Sequence, residues 1–197
     1  MKRTLSLIAV AAAMSFAADI KYGVNAEALL AMPSLGTDGV DPKIGFGANI
    51  GGGARITVAE GFAVRPALGF EILQHGTEFS ETLFGETIEG TTTVTSKFLT
   101  IGLGLEYSVM PNLFLAATPE FNLSLGGSYE SEVSFGGESE TTDGDIEDED
   151  SPVLLGLGIG YGINEQIAVT AGYKLALSEY GEEYKINKVS VGVRYEL

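Results

Sequence analysis

Apolar residues occupy every second position through eight separate runs of this chain, and a period of two belongs to strands rather than helices. The runs are 20–30, 44–58, 62–72, 99–107, 113–125, 153–163, 167–177 and 189–197. In the sixth, Val153, Leu155, Leu157, Ile159, Tyr161 and Ile163 alternate with glycine at 156, 158, 160 and 162. Connections alternate in length as regularly as the residues do. Ala59-Glu60-Gly61, Met110-Pro111-Asn112 and Asn164-Glu165-Gln166 are short enough for tight hairpin turns. The other four, about 33–43, 74–97, 126–152 and 179–186, are long. The pattern predicts an all-β, antiparallel up-and-down sheet of about eight strands, with its turns at one end and its loops at the other.

Alternation alone does not say which parity faces inward. A soluble, lipocalin-like ligand-binding barrel would put the apolar parity inside and dress its exterior with Lys, Glu, Thr and Gln. Here the polar parity is rich in Gly, Ala, Ser and Thr, which suits the narrow lumen that eight strands enclose. Composition agrees with segregation: mean hydropathy is +0.20 although the net charge is −16. No charge falls on the apolar parity within the runs, and one at mid-bilayer would cost about 2–4 kcal/mol. The apolar parity is therefore expected to meet lipid, and the fold to be a transmembrane β-barrel.

Charges on the other parity then need partners, because unpaired burial is costly. Lys21, Arg55, Arg65, Lys174, Lys188 and Arg194 can balance Glu27, Glu71, Glu106, Glu120 and Glu196 in a network that plugs the lumen. An open aqueous pore would need more strands. Tyr22, Phe62, Tyr107, Tyr161 and Tyr195 lie on the lipid parity near the turn ends, where amphipathic rings prefer the interface. Pro66 and Pro119 fall inside strands, where a closed sheet has no edge to accommodate a missing donor, so a bulge is expected at each.

Residues 1–17 read as a secretory leader: Lys2 and Arg3, an apolar stretch from Leu5 to Met14, then Ser15 and Ala17 before a cleavage point. The barrel domain would then span 18–197. Without cysteine there is neither a disulfide framework nor a thiolate metal site. The acidic balance argues against nucleic acid as a partner. Val189, Val191, Val193, Tyr195 and Leu197 form an apolar stripe to the end of the sequence. This stripe resembles the C-terminal signal that outer-membrane barrels present to the barrel-assembly machinery, although the family usually ends in an aromatic residue and Leu197 stands there. With the leader and the turn asymmetry, the chain resembles the small eight-stranded bacterial outer-membrane barrels of the OmpA transmembrane-domain, OmpX and OmpW type. The resemblance implies an outer-membrane location, with lipid and lipopolysaccharide as surroundings; the chain is expected to be a monomer. The fold does not choose the function.

Nineteen of the 27 acidic residues lie in the four long connections, ten of them in 126–152. Asp143, Asp145 and Glu147 imitate the start of a calcium loop, but its glycine is replaced by Asp148 and its twelfth position is Leu154. A solvated acidic loop is the simpler reading. Residues 90–97, rich in Thr and Val, could extend a hairpin above the membrane and pair with another chain, or form a solvated loop. His75, with Glu78 and Ser80 nearby in sequence, is the weak candidate for a lipid enzyme, since no nucleophile motif accompanies it. The sequence favours a non-enzymatic barrel without a cofactor, in a structural or surface-interaction role. A small-solute channel is the alternative.

Overall fold

The computed structural model describes residues 19–35, 41–83, 86–136, 138–147, 150–179 and 184–197. The leader lies outside the described residues. Among the described residues nine strands form a single antiparallel sheet: β1 (Asp19–Leu35), β2 (Asp41–Ala59), β3 (Phe62–Leu83), β4 (Glu86–Met110), β5 (Leu113–Phe135), β6 (Glu138–Ile146), β7 (Val153–Gly162), β8 (Ile167–Ala176) and β9 (Tyr184–Glu196). Each pairs with its sequence neighbour, except that β5 pairs with β7 below and with β6 above. β1 and β9 join from Gly23↔Glu196 to Leu35↔Tyr184. Eight strands therefore close a ring, and β6 stands outside it.

Parity sorts the side chains as the lipid-facing reading requires. Val24, Phe46, Ile50, Leu68, Ile101, Leu157 and Val191 point outward and are exposed, while Asn49, Arg65, Glu106, Asn122, Lys174 and Arg194 are buried within the ring. A soluble ligand-binding barrel would show the reverse. Apolar burial inside the ring is confined to a few residues, so the backbone ladder holds the fold together and lipid covers the exterior.

A tilted strand crosses a bilayer in about 9–11 residues. On β3 the outward apolar stripe runs from Phe62 to Ile72, yet the strand continues to Leu83. β4 and β5 continue with it, pairing from Ile88↔Phe135 down to Ser96↔Gly127, and β6 adds Gly127↔Ile146 to Phe135↔Glu138. The segments expected as loops 74–97 and 126–152 are therefore largely a four-stranded sheet rising beyond the apolar band. At 3.3 Å per residue the eleven residues of β3 above Ile72 reach about 36 Å along the strand.

The expected bulges at Pro66 and Pro119 are absent. Register runs unshifted from Gly53↔Ala67 to Ile56↔Val64, and from Gly102↔Glu120 to Leu105↔Ala117. The two pairs around each proline are missing on one side only. Pro66 still pairs with Leu103, and Pro119 with Leu155. The missing N–H faces only one neighbour, so the opposite ladder holds the strand straight. The bulges lie instead between Lys43 and Phe46, Thr57 and Ala59, Ser96 and Phe98, and Ser108 and Met110. One borders the β2–β3 turn, where Gly61 adopts φ +76°, a value glycine reaches without a Cβ penalty.

Candidate functional site: the ion-paired lumen

The charged residues of the lumen parity meet in three layers. Nearest the loops, Lys188 on β9 donates to Glu71 on β3, and both side chains are wholly buried. In the middle, Lys174 on β8 lies 3.2 Å from Glu27 and 2.9 Å from Glu120. Nearest the turns, Arg55 Nε donates to Glu106 Oε2 at 3.0 Å, and Arg194 Nη1 donates to the other oxygen of the same carboxylate. Arg65 and Arg194 also approach Glu196, at 3.6 and 3.4 Å. Neighbouring strands are staggered, so residues distant in sequence share a layer. Lys21 borders the turn-end mouth and makes no ion pair within 4 Å among the described residues.

Neutral groups complete the arrangement. Asn49 Nδ2 donates to Thr100 Oγ1 at 3.1 Å, and the Arg194 guanidinium sits 4.5 Å over the Phe114 ring. A chamber of about 160 Å³ separates the middle layer from the turn-end layer. Above the top layer the lumen turns apolar: Leu29, Ala31, Leu73, Phe98 and Ile186 are buried together, with Tyr184 packed against them. This seal escaped the sequence reading, which treated the inward parity as polar throughout. Its members stand at or just past the loop-side ends of the runs, on the inward parity, and that was the available signal.

Greasy side chains turned outward over one belt, and ion pairs enclosed by a closed ring, are what a sheet immersed in lipid requires. A family model described as outer membrane protein beta-barrel domain matches residues 11–180. The chain belongs to that family. No curated protein sequence matches it. Among the solved structures that resemble this outer-membrane β-barrel are the following three. Ail, the attachment invasion locus protein of Yersinia pestis, in complex with the heparin analogue sucrose octasulfate, aligns at 15% identity and TM-score 0.48, covering 91% of this chain and 99% of Ail. Neisserial surface protein A aligns at 14% and 0.47, covering 89% and 97%. The N-terminal β-barrel domain of Pseudomonas aeruginosa OprF aligns at 13% and 0.39, covering 91% and 100%.

The remaining candidates in this outer-membrane barrel are placed as follows. Tyr22, Phe62, Tyr107, Tyr161 and Tyr195 are all exposed on the outer surface toward the turns, and the rings of Phe62 and Tyr107 lie 4.7 Å apart. Val189, Val191, Val193 and Tyr195 face outward on β9, and the Leu197 amide donates to the Tyr22 carbonyl at 2.7 Å. Asp143 and Asp145 lie in the extended strand β6, opposite Glu130 and Ser128, with Glu147 just beyond it. They wrap no loop, and no group of three metal-ligating side chains occurs among the described residues.

His75 does not meet Ser80 or Glu78. Glu78 pairs with Lys43 at 3.2 Å, and Ser80 is exposed on the sheet above. A strand holds residues apart along its length, so closeness in sequence brought these groups no closer in space. His75 instead lies buried beside the apolar seal, where its Nδ1 and Tyr184 Oη share a hydrogen bond at 2.8 Å and Nε2 faces Ser96 Oγ at 3.4 Å. Burial and the nearby Lys188 ammonium push the His75 pKa down to about 4, while burial raises that of Tyr184. A neutral imidazole bonded to a protonated phenol results. Ser96 is wholly buried and His75 nearly so.

Proposed function

We propose that the protein is a non-enzymatic outer-membrane barrel with a plugged lumen, acting at the cell surface through its acidic loop-end sheet. The sheet β3–β4–β5–β6 carries this reading, since it gives a rigid platform beyond the lipid band. Its edge strand β6 holds Glu138, Glu140, Asp143 and Asp145, and its outer edge pairs with no strand among the described residues. Unpaired backbone groups on an edge favour a partner that adds a strand, and these carboxylates favour a basic one. The turns then face the periplasm and the loops face outside, as in barrels of this kind. Residues 1–17 direct export, and the β9 stripe engages the barrel-assembly machinery. The closed ring leaves no open edge within the band, which supports a monomer.

A second reading, a small-solute conduit, is disfavoured by the wholly buried Leu73, Phe98 and Ile186 across the lumen. Two measurements test the proposal. Purified protein in a planar bilayer should show no steady conductance, and open-channel currents would replace the plug with a pore. Proteoliposomes should bind fluorescent oligolysine more tightly than a variant whose residues 128–146 are replaced by a short turn. Equal binding by both would remove the acidic sheet as the interaction surface.

A further inference from the structure

Charge within the ring does not cancel layer by layer. The top layer is neutral, with Glu71 against Lys188. In the middle layer Lys174 alone serves two carboxylates, Glu27 and Glu120. In the turn-end layer three guanidiniums, Arg55, Arg65 and Arg194, share two carboxylates, Glu106 and Glu196. A positive charge is in excess there, and Lys21 adds another at the mouth. This contrasts with a chain whose net charge is −16.

Arg65 is the guanidinium least well served. Its side chain is 9% exposed, and its Nη1 stands 3.6 Å from Glu196 Oε1, beyond hydrogen-bond reach. Its Nη2 is buried and has no hydrogen-bond partner, and the same is true of Arg194 Nε. Both residues line the 160 Å³ chamber, together with Asn25, Asn49, Thr100 and Thr118. An internal space of about 150 Å³ is large enough for benzene, so a ligand of four or five heavy atoms fits.

We propose that this chamber binds a small oxyanion, a carboxylate or phosphate, against Arg65. A guanidinium presents parallel N–H donors that match two oxygens of such a group. The ligand would supply the negative charge that the turn-end layer lacks. Asn49, Thr100 and Thr118 offer neutral hydrogen bonds to its remaining oxygens. The excess carboxylate of the middle layer, across the chamber, holds the anion low against Arg65. Entry is from the turn end, where a second cavity of about 360 Å³, bordered by Lys21 and Arg55, shares Arg194 with the chamber. Only this direction of entry rests on the plugged-lumen reading. The site itself does not.

The test is calorimetric titration of the detergent-purified barrel with inorganic phosphate and, separately, acetate, at low ionic strength in a buffer free of both. Saturable one-to-one binding of at least one anion is expected, and the comparison assigns the class. Arg65→Gln should weaken binding at least tenfold, and Arg65→Lys by less. Gly102→Ala and Gly156→Ala together provide an independent arm, since their methyl groups meet nothing nearer than 3.3 and 3.4 Å and enter the chamber. This pair should keep heat-modifiable gel migration and weaken binding several-fold, even if Arg65→Gln fails to fold. No saturable heat with either anion in the unsubstituted protein would overturn the proposal. Binding left undiminished by Arg65→Gln, or by the glycine pair, would do the same. Channel currents alongside intact anion binding would instead remove the plug and leave the site standing.

Discussion

Glu71→Gln leaves a lysine without its counter-charge in the driest part of the lumen. Both Glu71 and Lys188 are fully buried, and removing one member of such a pair typically costs about 3–5 kcal/mol. Two contacts soften the loss. With its nitrogen toward Glu120 Oε1 at 3.0 Å, the Asn122 amide turns its oxygen to accept from Lys188 Nζ at 3.2 Å. The ammonium also lies 5.6 Å from the centre of the Phe98 ring, a contact worth about 0.5–2 kcal/mol. The expected cost of Glu71→Gln is therefore about 2–4 kcal/mol. Lys188→Met loses the cation from all three groups and should cost about 3–5 kcal/mol. The double variant replaces the pair with neutral side chains of similar size and should lose only about 1 kcal/mol. The pairwise coupling should then be at least about 4 kcal/mol. Urea unfolding of vesicle-inserted protein, followed by heat-modifiable migration, measures all four corners of the cycle. Single costs that add to within about 0.5 kcal/mol of the double cost would refute the pairing argument.

Three further outcomes are expected. His75 stands above the apolar band and should stay neutral until the pH falls to about 4, rather than titrating near 6.5. Folded or unfolded, it is uncharged above 6.5, so it adds no pH dependence there; between 6.5 and 4 only the unfolded chain gains the proton, and stability falls with pH. An imidazole NMR titration midpoint near 6.5 would contradict this. Phe98→Ala removes the largest side chain of the seal, costs about 3–5 kcal/mol and should introduce measurable bilayer conductance; a variant as silent as the parent would mean that the ion-pair layers close the lumen unaided. Gly45→Ala should sharply lower the folded fraction, because its Cβ would fall 1.9 Å from the Gln74 carbonyl oxygen at the first bulge of β2. Gly156→Ala should be mild, with its nearest neighbour at 3.4 Å; equal yields on refolding would refute that contrast.

The ring was legible because lipid demands one unbroken parity, and the eight runs carry it from Ile20 to Leu197. The sheet above the band was not, because both of its faces meet water. Thr91, Thr93, Glu130 and Glu132 need no alternation to be stable there, so no period marks β6 or the upper half of β5. Prolines misled for a related reason: they look like interruptions, yet a strand bonded on two sides tolerates the loss of one ladder contact. Candidate lumen charges could be read from parity. Their partners could not, because the stagger between strands decides that Lys188 meets Glu71 while Lys174 meets Glu27 and Glu120. His75 was singled out for its neighbours in sequence, whereas Tyr184 comes to it from β9.

The seam between β1 and β9 sets the timing of assembly. Residues 149 to 173 positions apart must find each other before the cylinder exists, and contacts so remote in sequence form slowly. Until β9 arrives, β1 presents a long row of bare amide and carbonyl groups and invites the wrong partner. A nascent copy of this chain thus needs an escort that shields its first strand through the whole interval, and slowing β9 alone should be enough to send the protein to aggregation.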